Sequence, residues 1–517
     1  MAVFELVLAL LLGGVGLALL APRLGVPWPA LLALAGAALA FVPGVPEAAL
    51  EPELALALFV APVLLDAAYD ASPRDLRDNW APVDGLVLGA VGLTVAAVAG
   101  VARWLEPSLP WAAAVALGAI VAPPDAAAAT AVLRQVRLPH RMVVILQGES
   151  LLNDASALLI YHLAVGAAAG GVTAWTVPLL VIAAVGGAAL GVVLAKGCLA
   201  VIARVEDTAA SVVLQFLTTF GVWLLADALN LSAVLTMVAY AVTLARTAPG
   251  RMGARHRRAS YAVWEVAVFV LNVLAFILVG LQLRGILGRG DGQAGRYALF
   301  ALAVLAAAVL VRIVWVMGYY AAVRWKHRRF GVRTRRPMPP PTAQGGIVIS
   351  WCGMRGIVTL AAALALPGGF PGRDLVLFAS FCVVLGTLVM QGLTLRPLLS
   401  RLALPRDESV EEEVALARAE AARAALEALA SGPGADWDGE ARHLLQREYQ
   451  ARLDAGARLG DGASASTGLG ALRRRALAAE RTRVAALRRE ERIGDDAFHQ
   501  VEEDLDWAEA EANGSGR

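Results

Sequence analysis

Charge is scarce in this chain. Only 17% of its 517 residues are Asp, Glu, Lys or Arg, where a soluble globular domain carries about a quarter. Too few charges are available to cover one large water-exposed fold, which excludes a soluble enzyme over most of the length. Cysteine is nearly missing. The three present, Cys198, Cys352 and Cys382, all lie in apolar runs and give neither a disulfide framework nor metal-ligand spacing. Lysine is rarer still, two residues against 43 arginines. That skew, with the excess of Ala and Gly, points to a GC-rich bacterial genome. What the chain does have is apolar surface. Hydrophobic residues make up 58% and mean hydropathy is +0.64, which excludes a disordered or collagen-like chain and predicts a solvent less polar than water, the bilayer.

Thirteen apolar runs are long enough to be spanning helices: 3–21, 25–43, 53–69, 82–102, 110–133, 142–169, 174–203, 208–227, 230–246, 261–283, 297–323, 344–366 and 374–400. Met1 opens the first run without a basic region before it, which predicts no cleaved signal peptide. The loops after the odd-numbered segments carry 19 Lys and Arg, the other loops five. By the positive-inside rule the N-terminus lies outside and the C-terminal tail in the cytoplasm. Residues 1–400 have a net charge of +9 and 401–517 of −7, so a membrane domain over 1–400 and a cytoplasmic C-terminal domain over 401–517 are different physical objects.

Thirteen divides as six, one and six, and a single linking span turns the second half over relative to the first. The expected fold is therefore an all-α polytopic membrane protein with two inverted six-helix repeats. Segment 5 contains Ala122-Pro123-Pro124-Asp125, and its counterpart, segment 12, contains Trp351-Cys352-Gly353-Met354-Arg355-Gly356. Both predict a helix broken near its middle. Matched interruptions point to an ion site at the membrane midplane.

Ionisable groups inside a bilayer cost roughly 2.5–3.5 kcal/mol each on insertion scales. Segment 6 concentrates them in Gln147-Gly148-Glu149-Ser150-Leu151-Leu152-Asn153-Asp154. Ser150 and Asp154 are four apart and share a helix face; Glu149 and Asn153 share the adjacent one. Asp125 sits on the broken segment 5, where unwound carbonyls are free to ligate. Asp66 ends an apolar run in segment 3, belonging either to the site or to the polar loop with Asp70. Arg355 supplies a buried cation. Carboxylate, hydroxyl and carbonyl oxygens suit a hard ion such as Na⁺ and no soft metal. A carboxylate in low dielectric favours the proton, and one beside a cation favours its charge. Competition of that kind is sufficient for exchange.

Three strings, Pro123-Pro124-Asp125-Ala126-Ala127-Ala128-Ala129-Thr130, Gly148-Glu149-Ser150-Leu151-Leu152-Asn153-Asp154-Ala155 and Gly353-Met354-Arg355-Gly356-Ile357-Val358, resemble those of the monovalent cation:proton antiporter-1 family, bacterial Na⁺/H⁺ antiporters related to animal Na⁺/H⁺ exchangers. The likeness spans roughly residues 5–400. It implies a homodimer with elevator-like alternating access, a role in pH homeostasis, and no enzymatic activity. Asp154 would carry the ion and the proton, with Ser150 and Asp66 as co-ligands of Na⁺. Asn153 would hold the broken helix and Glu149 would pair with Arg355. Asp125 would balance helix-end dipoles near the ion. The pair Asn153-Asp154, in place of two aspartates, resembles members that exchange one cation for one proton. Two departures matter: the family usually has Thr where this chain has Pro124, keeping a carbonyl but losing a hydroxyl, and Glu where it has Asp66. Both leave K⁺ or Li⁺ open beside Na⁺.

Other readings compete. A membrane-embedded aspartyl protease could use Asp125 and Asp154, but neither acid sits in a Gly-x-Gly-Asp string and Arg355 would have no part in it. A channel would need no proton coupling. Lys196, Asp227, Glu265 and Arg312 are placed toward segment ends, where snorkelling explains them. His162 reads as a packed or interfacial residue, and Asn272 as a hydrogen bond between helices. The tail is expected to be helical, with breaks at Gly432-Pro433-Gly434 and over 456–470. No cofactor is implied and no nucleic-acid partner; the basic run 324–336 reads as an anchor toward anionic lipid. The expected location is the bacterial inner membrane.

Overall fold

The computed structural model describes residues 2–43, 52–70, 73–125, 138–171, 175–248, 254–287, 294–330 and 342–402, with isolated positions beyond. Chain contacts divide the protein into Met1–Arg406 and Asp407–Arg517. Nearly all of the second unit, with the helices expected in it, lies outside the described residues, as do residues 126–130 of the segment 5 string.

The first unit is helical, with no strand among the described residues. Its helices are α1 (Ala2–Leu24), α2 (Trp28–Leu39), α3 (Pro52–Ala55, a π-helical turn Leu56–Val60, then Ala61–Asp70), α4 (Pro73–Asp78) and α5 (Trp80–Asp84, a π-helical turn Gly85–Ala90, then Val91–Leu105). Next come α6 (Trp111–Val121), α7 (His140–Ala168), α8 (Thr176–Ile202), α9 (Thr208–Ala228), α10 (Ala233–Thr247) and α11 (Ala254–Leu281). The short α12 (Leu283–Leu287) leads to α13 (Ala294–Phe330), α14 (Ala343–Trp351), α15 (Ile357–Leu364) and α16 (Arg373–Arg401). Eight of these elements are long and apolar enough to cross a membrane, and four shorter apolar helices accompany them.

Local chemistry fixes the helix ends. Asp207, Ser232 and Thr342 cap α9, α10 and α14 by accepting from the backbone N–H groups of Ala210, Leu235 and Gly345. The π-helical turn in α5 frees the Gly85 carbonyl, which accepts a hydrogen bond from the Trp315 indole at 2.9 Å. The outer faces are apolar: Leu12 and Leu19 on α1, Val185 on α8 and Val314 on α13 are all more than half exposed. A water-soluble fold would bury such a belt.

Packing forms two bundles. Helices α1–α3 and α8–α11 make one, and α5–α7 with α13–α16 the other. In the first, α2 and α11 approach backbone to backbone, because a Cβ on Gly36 would meet the Ile277 carbonyl and one on Gly280 that of Ala33. Small residues allow this contact where lipid gives no hydrophobic drive for helices to associate.

Candidate functional site

Two interrupted helices meet inside the second bundle. One stops at Val121 and continues as Ala122–Asp125; the other stops at Trp351, unwinds, and restarts at Ile357. Both breaks fall on the residues that the sequence marks. Proline at 123 and 124 removes two donors from the first helix, and glycine at 353 and 356 frees the backbone of the second. The unwound strings bind one another, the Asp125 N–H donating to the Met354 carbonyl at 2.7 Å.

Arg355 ties the crossing together from a fully buried position. Its Nε donates to the Val121 carbonyl at 2.9 Å, its Nη1 to the Gly353 carbonyl, and its backbone N–H to Thr387 Oγ1 on α16 at 3.0 Å. A cation therefore sits at the C-terminal end of α6, where the helix dipole is negative. At the opposite pole, the Asp125 carboxyl packs against Gly356, the residue that starts α15; a Cβ at 356 would fall on that carboxyl. An anion at a helix N-terminus is the favourable complement.

Helix α7 runs beside the crossing. Ser150 is 8% exposed and Asp154 6%, and the Ser150 hydroxyl donates to the Pro124 carbonyl at 3.4 Å. Asp154 is near enough to Asp125 for the two charges to repel. A cavity of about 680 Å³ lies between the bundles, and Asp66, Pro124, Asp125, Ser150 and Asp154 all line it. All five expected ion-binding residues thus share one space. Among the described residues no Lys, Arg or His lines it. Such a surface favours a cation.

The other face of α7 differs from expectation. Glu149, fully buried, pairs with Arg312 of α13 and not with Arg355. The pair is bidentate, Arg312 Nη1 to Glu149 Oε1 and Nη2 to Oε2 at 2.8 Å. Asn153 Nδ2 donates to Glu149 Oε1 at 3.2 Å, and Arg312 Nη2 also donates to the Ile349 carbonyl near the end of α14 at 3.0 Å. Arg355 has turned toward carbonyls at the helix breaks, leaving the carboxylate to the arginine that approaches side-on. Arg312 is 2% exposed, so it does not snorkel. Its place near the centre of the apolar run 297–323 was the signal in the sequence, since a mid-span arginine has no aqueous phase within reach. Thr387 carried no such signal.

The comparisons with known proteins agree with this construction. The family model for the transmembrane sodium/hydrogen exchangers matches residues 7–401. An uncharacterized Na⁺/H⁺ exchanger of Mycobacterium tuberculosis is 31% identical, over 93% of this chain and 91% of its own length. One of Escherichia coli is 30% identical, over 94% of each. A sodium, potassium, lithium and rubidium/H⁺ antiporter of Bacillus pumilus is 28% identical, over 83% of this chain and 66% of its own. Among solved structures, the sodium proton antiporter MjNhaP1 of Methanocaldococcus jannaschii superposes with a TM-score of 0.59, at 18% identity, over 78% of this chain and 99% of that one. The fold is that of a membrane antiporter, and the segments that build the crossing lie inside the matched region. With the family model running unbroken through both helix breaks and the acids beside them, this chain belongs to the sodium/hydrogen exchanger family.

Proposed function

We propose that this protein exchanges Na⁺, or Li⁺, for H⁺ across the bacterial inner membrane, one cation for one proton, with both competing for the carboxyl of Asp154. The observation that carries the reading is the convergence of Asp154, Ser150, Asp66 and the Pro124 carbonyl on one cavity between two bundles. These oxygens suit a hard monovalent ion. A cation brought to Asp154 displaces the proton, and a proton arriving from the other side displaces the cation. Crossing with the carboxylate charged and empty is prevented by its cost in a low-dielectric interior. Asp125 and Arg355 oppose the partial charges of the broken helix ends, so that the crossing persists without an ion.

The division into two bundles supports thirteen spans in inverted repeats, with the crossing bundle moving against the other as an elevator in a homodimer. The cavity is lined near the ends of α3 and α10 and the start of α11, at Tyr69, Ala248 and Tyr261. Those ends adjoin loops following segments 3 and 9, which the positive-inside rule assigns to the cytoplasm. The reading is thus of a state open inward, with the N-terminus outside and residues 401–517 forming a cytoplasmic domain.

Everted vesicles loaded with a pH dye test the exchange. Addition of Na⁺ or Li⁺ should dissipate the proton gradient in wild type and not in Asp154→Asn; exchange surviving in that variant would refute the assignment. K⁺/H⁺ exchange on the same fold is the second reading. It is favoured by Pro124 and Asp66 in place of the more usual Thr and Glu, and by the broad cation range in the printed name of the Bacillus pumilus relative. Dissipation by K⁺ at concentrations comparable to Na⁺ would establish it.

A further inference from the structure

An alkali ion needs a few oxygens, and the cavity that holds Asp154 is far larger than that. Its volume of about 680 Å³ falls in the range of pockets for organic molecules, roughly 300–1,000 Å³. Its walls are aromatic: Trp28, Tyr261, Trp264 and Phe269 all contribute. The Trp28 and Phe269 rings lie 5.8 Å apart, and Trp264 is fixed by stacking on Phe216 and by an indole hydrogen bond to Gln215 Oε1 at 3.2 Å. Its charges are of one sign. Carboxylates stand deep in it, at Asp154, and on the wall of α11, at Glu265, with no basic side chain among the described lining residues. Aromatic faces and carboxylates together recognise organic cations.

A further group narrows the ligand. Asn272 lines the same wall, is 6% exposed, and its Oδ1 has no hydrogen-bond partner. A buried acceptor left unmade favours a ligand that brings N–H donors. Glu265 and Asn272 are seven residues apart on α11, on one face, and about 10 Å apart along its axis by the helical rise. Negative and acceptor groups are thereby strung along the cavity from Glu265 inward, with apolar and aromatic surface between them. A linear aliphatic diammonium ion has the complementary order: a cation with N–H donors, a greasy stem, and a second cation.

We propose that the cavity binds linear α,ω-diamines from the side on which it opens, one ammonium against Asp154 and the other at Glu265, the stem along the aromatic wall, and that binding excludes the alkali cation. The competition rests on the exchange reading above; the binding does not.

Sodium counterflow into everted vesicles at equal pH on both sides gives the first readout, since no pH gradient is present for a weak base to collapse. A homologous series of diamines is compared with octylamine as the singly charged control. Inhibition should strengthen with diamine length to an optimum at least about fivefold better than octylamine, the worth of one partly solvated ion pair. Glu265→Gln should erase that advantage while leaving uninhibited counterflow unchanged. Thermal stabilisation of the purified protein in detergent is the second readout and needs no transport. The optimal diamine should stabilise wild type more than octylamine does, and Glu265→Gln should abolish the difference. Equal effects of diamine and monoamine, or a length preference that survives Glu265→Gln, would overturn the proposal. Stabilisation with the expected length and Glu265 dependence, in a protein without counterflow, would support diamine binding and sink the exchange reading alone.

Discussion

Glu149 and Arg312 show why a charge can be kept in mid-membrane. Each is fully enclosed or nearly so, the contact is bidentate, and Asn153 and the Ile349 carbonyl take up further hydrogen-bonding capacity. Removing one partner leaves the other as an unpaired buried charge, which costs about 3–5 kcal/mol; removing both does not. Arg312→Met alone should therefore sharply reduce the folded yield and melting temperature in detergent. The double variant Glu149→Met with Arg312→Met should regain most of that loss. A double variant no better than the single one would show that the pair is not the source of the effect. This partnership was not legible in the sequence. The four-residue spacing of Ser150 and Asp154 lies within one helix and is read directly from helical geometry. The choice between Arg312 and Arg355 as partner of Glu149 depends on how three separate helices approach, and no local periodicity encodes that.

At the scale of the element, the helix breaks were legible because their causes are local. Two prolines cannot donate, and a glycine can stand where a side chain cannot. Gly356 is the sharper case. It is not needed for a left-handed backbone, since its φ is −140°, but for room, because the Asp125 carboxyl occupies the place of a Cβ. Gly356→Ala must push Asp125 away from the start of α15, separating an anion from a helix N-terminus that is worth about 0.3–2 kcal/mol to it. Exchange should fall well below wild type while the protein still inserts and purifies, a split that dye assays and size-exclusion profiles read together. A variant with wild-type exchange would show that the contact is dispensable. Gly280→Val tests a different element. There the added side chain meets the backbone of α2 at Ala33 and Ala37, so the expected loss is of folded protein and not of exchange per molecule. The two-bundle packing itself was only partly legible. Hydropathy predicts which segments are helices, but the pairing of α2 with α11 depends on Gly36 and Gly280 meeting across a long sequence separation, and each glycine alone is unremarkable in an apolar run.

The whole molecule combines an asymmetric loop charge with a cavity reached from one end of several helices, and the two can be tested against each other. Arginine-rich loops after odd-numbered segments put the starts of α7 and α11 in the cytoplasm. The cavity is lined by Gln147 near the first of these starts and by Tyr261 near the second. Trp104, at the far end of α5, belongs by the same count to the outer surface. Tyr261 is 50% exposed and Trp104 is 79% exposed, so a cysteine at either place should be reachable by reagent, whereas the native Cys352 is buried. A membrane-impermeant maleimide should therefore label Tyr261→Cys in everted vesicles and not in intact cells, with the reverse pattern for Trp104→Cys and the wild type as background. Bound Na⁺ should slow labelling of Tyr261→Cys if closing the cavity accompanies transport, because the ring at 261 hydrogen-bonds through its hydroxyl to Tyr69 of α3 across the same space. Labelling of both cysteines from one side would break the alternation on which thirteen spans depend. Labelling of Tyr261→Cys only from outside would turn the protein over and make the cavity outward-facing, with the cation then approaching Asp154 from the periplasm.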